Sequence, residues 1–199
     1  MSQRDTAWGP MQVQRVAATE AAQALQDAGI ALELCVPNLP WVAPEGEAKD
    51  LVRRAKEEGA EPVWRGDAYL LLADAGQVAQ ALLHCRDQLG FAQLYDLTAC
   101  DPAVEDSQLK LIYGLRNLKS KARLVLQTRV DKAAASLPSV VSVYQAADWH
   151  EREAGEMYGI TFVGHPDPRN ILLPDDWVGS PLRKDYEYPD EYNGVSCTE

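Results

Sequence analysis

No Cys-x-x-Cys pair occurs in this 199-residue chain, and its four cysteines, Cys35, Cys85, Cys100 and Cys197, lie far apart. The locally spaced thiolate sets that hold zinc or iron–sulfur clusters are therefore missing. With no secretory leader in view, free or buried thiols are expected rather than disulfides. There is no G-x-G-x-x-G and no Walker-type loop, so no backbone cradle for a nucleotide's phosphates is signalled. No G-x-S-x-G elbow is present, and His84-Cys85 are chain neighbours that read as packing residues of a helix. His150-Glu151 opens a zinc-protease-like string, but Ala154 stands where H-E-x-x-H requires the second imidazole. No apolar run approaches the ~20 residues that span a bilayer, and the opening residues lack an apolar leader core. The expectation is a cytoplasmic chain that meets a membrane, if at all, only through other subunits. If it belongs to a redox system, the electrons must run elsewhere.

Basic charge is also scarce. The formal net charge is −11, which argues against nucleic-acid binding. The deficit is concentrated: residues 145–199 hold 12 acidic and 4 basic side chains, against 18 and 15 in the remainder.

The apolar pattern sorts the chain into three parts. Residues 1–46 read as an N-terminal extension, with a helix over 18–29 closed by Gly29, a strand over 30–36 and a proline-rich linker over 37–47. Residues 47–162 read as the main domain. A helix is expected over 47–59, then strands at 61–65 and 68–73. Asp74 is placed to cap a helix whose apolar face is Val78, Ala81, Leu82, Cys85 and Leu89. Strands follow over 91–99 and 109–116. In "KARLVLQTRV", Ala122, Leu124, Leu126, Thr128 and Val130 alternate with polar neighbours, the period of a strand with one wet face. A helix is expected over 142–159. Together these predict an α+β fold, an antiparallel or mixed sheet with its helices packed on one face. Residues 163–199 then form an extended proline-rich C-terminal arm.

That arm mixes Arg169, Arg183 and Lys184 with Asp167, Asp175, Asp176 and Asp185, and adds Ile171, Leu172, Trp177 and Leu182. Guanidinium forks, proline-stiffened backbone and apolar anchors suit docking on a partner. They equally suit a ribbon wrapped on its own domain. Two further expectations concern the helix before it. Arg152 and Glu156, four apart, are spaced to pair. His150, Glu153, His165 and Asp167 are candidates for convergence in space, and His150, Glu151, Glu153 and His165 support the alternative of a stand-alone metal hydrolase.

The stretch "HEREAGEMYGITFVGHPDPRNILLPDDWVGSPLRKDY" resembles the C-terminal motif of the C subunit of NADH:quinone oxidoreductase, respiratory complex I. Matching positions are Glu151-Arg152-Glu153, Gly159-Ile160, Gly164 to Asp167, Arg169, Ile171-Leu172, Pro174 to Trp177, Gly179 and Pro181 to Tyr186. "LTACD", "LIYGLRNL" and "SLPSVVSVYQAADW" extend the likeness back to about residue 50. Gly155-Glu156 departs from it, where the family has an aromatic followed by Asp. The resemblance implies a non-catalytic, scaffolding subunit of the peripheral arm, beside homologues of the quinone-site D subunit and the cluster-bearing B subunit. It implies that flavin, iron–sulfur clusters and quinone sit in partner subunits, with no cofactor, metal or catalytic residue in this chain. It implies a peripheral place on the cytoplasmic face of the inner membrane, in a hetero-oligomeric complex. It assigns structural or interface roles to Glu151, Arg152, His165, Asp167, Arg169, Asp176, Arg183, Lys184 and Asp185. The equivalent component of a membrane-bound hydrogenase, a formate hydrogenlyase or a photosynthetic complex-I-like assembly carries the same resemblance.

Overall fold

The computed structural model describes residues 18–35 and 69–196. The linker over 37–47, the helix expected over 47–59 and the strand expected over 61–65 lie outside the described residues.

A five-stranded sheet organises the described chain. Its strands are β1 (Leu32–Cys35), β2 (Tyr69–Leu72), β3 (Gln93–Cys100), β4 (Gln108–Arg116) and β5 (Arg123–Asp131), in the order β1-β2-β5-β4-β3. β2 and β5 run parallel, and the other neighbours are antiparallel. The β4–β5 pair is the longest, in register from Gln108 opposite Asp131 to Arg116 opposite Arg123. Its turn is set by Asn117, whose side-chain oxygen accepts from the Lys119 and Ser120 amides.

One face of this sheet is buried. Leu109, Leu111, Tyr113 and Leu115 of β4 meet Leu124, Leu126, Thr128 and Val130 of β5 there, which is the alternation read from the sequence. In β3 the buried residues are Leu94, Leu97 and Ala99, and the register shifts between Leu94 and Asp96. That bulge inserts one residue, so the apolar spacing stretches from two to three.

Among the described residues, three helices share the core with this face. Helix α1 (residues 18–27) buries Ala18, Ala21, Ala22 and Leu25, and Gly29 ends it at φ +80. Helix α2 (Val78–Asp87) buries Val78, Ala81, Leu82 and Cys85. Helix α3 (Ala147–Tyr158) buries Ala147, Glu151 and Ala154, and Gly159 closes it in the left-handed region at φ 71. The fold is α+β, as expected. Residues 18–35 belong to its core, because β1 is hydrogen-bonded to β2 from Leu32 opposite Leu72 to Cys35 opposite Tyr69.

Two expectations are corrected. Asp74 caps a 3-10 turn at Ala75–Gln77 through the Gly76 amide, and α2 continues from that turn. The helix expected over 142–159 begins only at Ala147. The Val143 carbonyl, which a longer helix would offer to Ala147, accepts instead from Arg86 Nη1 at 2.8 Å. The Tyr144 hydroxyl donates to the Phe91 carbonyl at 2.6 Å, pinning the preceding turns to β3's approach.

After β5 the chain makes a 3-10 turn at Lys132–Ala134 and enters β6 (Ser136–Pro138), which pairs in parallel with β7 (Thr161–Val163). Gly164, at φ +85, turns the chain out of β7. The stretch 164–190 contains no regular helix or strand, and it ends in a hairpin of β8 (Glu191–Tyr192) and β9 (Val195–Ser196). Asn193 and Gly194 sit between them, both at positive φ, the geometry that Asn-Gly favours in tight hairpins.

Candidate interaction site

The ribbon from Gly164 onward is held to the domain mainly through its own backbone. The first anchor is built on α3. Glu151 is buried, and its two carboxylate oxygens accept from the Val140 amide and the Ser139 hydroxyl, each at 2.6 Å. Burial raises its pKa above the ordinary carboxyl value, while Ser139, Val140 and His165 pull the other way and Asp148 adds to the rise.

His165 reaches in from the ribbon beside it. Its Nδ1 accepts from the Asp167 amide at 3.0 Å. The proton of the neutral ring is therefore assigned to Nε2. Nε2 faces the Asp148 carbonyl at 3.2 Å, the Asp148 carboxylate at 3.4 Å and the Glu151 carboxylate at 3.9 Å.

Arg152 and Glu156 form the second anchor. They do not pair with each other as their spacing suggested; both turn to the ribbon. Arg152 Nε donates to the Arg169 carbonyl at 2.8 Å and Nη2 to the Asn170 carbonyl at 3.3 Å. The Glu156 carboxylate accepts from the amides of Ile171, Leu172 and Leu173 at 3.0, 2.9 and 3.3 Å. A carboxylate in reach of three successive amides outcompetes a flexible surface ion pair. The neighbouring Gly155 is crowded by the returning chain: a Cβ there would lie 3.1 Å from the Ile160 carbonyl oxygen.

The third anchor lies at the far end of β3. Asp101, one residue beyond that strand, is buried. It accepts from the Lys184 amide at 2.9 Å and forms an ion pair with Lys132 at 2.7 Å. Lys132 also donates to the Ala103 carbonyl, and its own carbonyl accepts from Arg183 Nη1. The Leu182 amide donates to the Met157 carbonyl at the end of α3.

The guanidinium forks that suit docking on a partner are engaged internally. Arg169 grips Asp167 bidentately, with both distances 2.7 Å. Arg183 grips Asp185 at 2.9 and 2.8 Å. Arg183 and Asp185 lie in consecutive turns, where the Arg183 amide donates to the Ser180 carbonyl and the Tyr186 amide to the Arg183 carbonyl. Each fork holds its carboxyl well below the usual range, to about 2 for both Asp167 and Asp185.

Beyond these anchors Trp177 and Tyr192 stack at a tilt, with centroids 5.1 Å apart, and the Tyr192 hydroxyl donates to Asp176 at 2.7 Å. The Tyr186 ring lies over Gly179, where a Cβ would meet it at 2.5 Å.

Of the residues proposed to converge, His165 meets Glu151 and Asp148, Asp167 turns to Arg169, and Glu153 stays exposed. His150 has no described contact with that set. Among the described residues, no group of three or more His, Cys, Asp or Glu side chains is arranged to hold a metal ion. Among them too, no helix is long and apolar enough to cross a membrane. Sequence reasoning did not single out Asp101, Lys132, Ser139 or Glu156 as anchors of the ribbon. The usable clue was that Asp101, Ser139 and Glu156 fall in or beside the stretches that carry the family resemblance.

The chain has clear relatives. The family profile described as respiratory-chain NADH dehydrogenase, 30 Kd subunit, matches residues 71–192. The NADH-quinone oxidoreductase C subunit of Chloroherpeton thalassium is 45% identical over 104 residues, covering 51% of this chain and 43% of that protein. That of Moorella thermoacetica is 36% identical over 125 residues, covering 63% of this chain and 84% of the relative. The matched stretch thus spans less than half of the first relative. Among solved structures, a chain of the membrane-bound sulfane sulfur reductase, an archaeal respiratory membrane complex, superposes with a TM-score of 0.50 at 22% identity. That superposition covers 71% of this chain and 86% of the other, and it is a likeness of fold. This chain belongs to the C-subunit family of NADH-quinone oxidoreductase.

Proposed function

We propose that this chain is a non-catalytic structural subunit of the peripheral arm of a proton-translocating NADH:quinone oxidoreductase. Its ribbon would lie against homologues of the quinone-site D subunit and the cluster-bearing B subunit, at the cytoplasmic face of the membrane. Flavin, clusters and quinone belong, on this reading, to partner subunits.

One observation carries the proposal. The ribbon's backbone is tied to the domain through Glu156, Asp101, Arg152 and Met157, while Leu172, Val178, Leu182 and Tyr188 stay exposed. A segment ordered by its main chain, with apolar side chains facing outward, is preorganised for association, so less entropy is lost on binding.

The test is purification of the tagged full-length chain from gently solubilised membranes, with mass spectrometry of what accompanies it and quinone-reductase assays of complex and free chain. Homologues of the quinone-site and cluster-bearing subunits should co-purify, with turnover confined to the assembled complex. Recovery of the chain alone, or quinone reduction by the free chain, would overturn the reading.

A further inference from the structure

The end of the ribbon is a built surface. Residues 175–179 and 186–192 are locked together by the Trp177–Tyr192 stack, the bond from the Tyr192 hydroxyl to Asp176, and the bond from the Tyr186 hydroxyl to the Val178 carbonyl at 3.0 Å. Tyr188 packs edge-on against Tyr186, with centroids 5.0 Å apart. From this platform Val178 projects with 83% of its surface exposed and Tyr188 with 61%. Ordered apolar groups presented in this way mark a contact surface.

Around them the charge has one sign. Residues 163–196 hold seven acidic and three basic side chains. Two of the three bases, Arg169 and Arg183, are already gripped bidentately by Asp167 and Asp185. Lys184 is left to offset Asp175, Asp176, Glu187, Asp190 and Glu191, all of them exposed. The forks that looked able to bind a partner's carboxylates are consumed within the ribbon, and the platform's rim is acidic.

We propose that the partner surface contacted by the Trp177 platform is apolar at its centre and rimmed with lysine and arginine. This rests on the docking reading above and adds the chemistry of the face that receives the ribbon. An acidic partner would set like charges against Asp175, Glu187 and Asp190, and a neutral one would desolvate them without compensation. A basic rim answers both, while Val178 and Tyr188 supply the buried centre.

The experiment uses the full chain in its assembled complex, with the double variant Glu187→Lys/Asp190→Lys and the single variant Val178→Ser. None of the altered side chains makes a described bond within the chain, so the thermal midpoint of the free protein should hold for both. The charge variant should be retained in the complex about tenfold less. Its release should also need less sodium chloride, because attraction at a charged rim is screened by salt. Val178→Ser should lower retention at every salt concentration. If the charge variant is retained like the parent while Val178→Ser is lost, docking stands and the basic rim is wrong. If both are retained like the parent, the docking reading falls with it.

Discussion

Lys132 and Asp101 form an ion pair at 2.7 Å with side chains only 8% and 0% exposed, and the same carboxylate accepts from the Lys184 amide. The turn after β5, the end of β3 and the Pro181–Tyr186 stretch of the ribbon therefore meet at one buried charge. Removing one partner of such a pair leaves the other uncompensated. Asp101→Asn should cost about 3 kcal/mol of stability, read from chemical denaturation. The amides around Lys184 should lose hydrogen-exchange protection before the β4–β5 ladder does. Simultaneous loss in both places would mean that the ribbon is not a separate layer.

Glu151 is the matching group at the first anchor, and its direction with pH follows from burial. Its folded pKa is raised, so the native state binds its proton more readily than the unfolded chain does. The stability this contributes is fully present below the ordinary carboxyl range and is lost as pH rises through the raised value. Glu151→Gln removes that dependence while still accepting from Val140. Its stability profile should be flatter than the parent's as pH rises above the ordinary carboxyl range. Glu151→Ala bares the Val140 amide and leaves a void, costing about 2 kcal/mol or more. Equal loss in Gln and Ala would show that charge, and not the acceptor, is what the site requires.

Asp167 and Asp185 run the opposite way. Their folded values are depressed to about 2 by the guanidinium forks of Arg169 and Arg183. Each pair's contribution is therefore present above the ordinary carboxylate range and lost as pH falls through about 2. Carboxyl chemical shifts followed by NMR in the free chain should show both midpoints near that value. Arg169→Gln should return Asp167 to the ordinary range and leave Asp185 where it was. A normal midpoint for Asp167 in the parent would mean that the fork is open in solution.

The two described thiols should separate cleanly. Burial pushes Cys85 up to about 12, whereas Cys100 is exposed at the end of β3. The thiolate is the nucleophile. Alkylation of the native protein, mapped by peptide mass spectrometry, should label Cys100 and spare Cys85 until the chain unfolds. Labelling of Cys85 at the rate of Cys100 would contradict the packing of α2.

Much of the fold was legible where a period repeats. The two-residue alternation of Leu124, Leu126, Thr128 and Val130, and the Val78, Ala81, Leu82, Cys85 face of α2, follow directly from the chain. The bulge in β3 shifts that period locally, and α3 was expected too early because a long-range bond from Arg86 to the Val143 carbonyl carries no trace nearby in sequence. The Asn193-Gly194 hairpin is readable from its dipeptide. At the candidate site, residue types pointed to interaction but not to its direction. Whether Arg183 grips a neighbour's carboxylate or Asp185 depends on the ribbon's own path, and Asp101 lies 83 residues from the amide it receives.

The central claim, that the ribbon's outward side chains meet another protein, is tested most directly by a photo-crosslinking amino acid at position 178 of the full chain in native membranes. The account predicts a single discrete adduct with a neighbouring protein of the complex, mapped by mass spectrometry to an apolar patch bordered by lysine or arginine. Quenching by solvent, with no protein adduct in the intact complex, would contradict it.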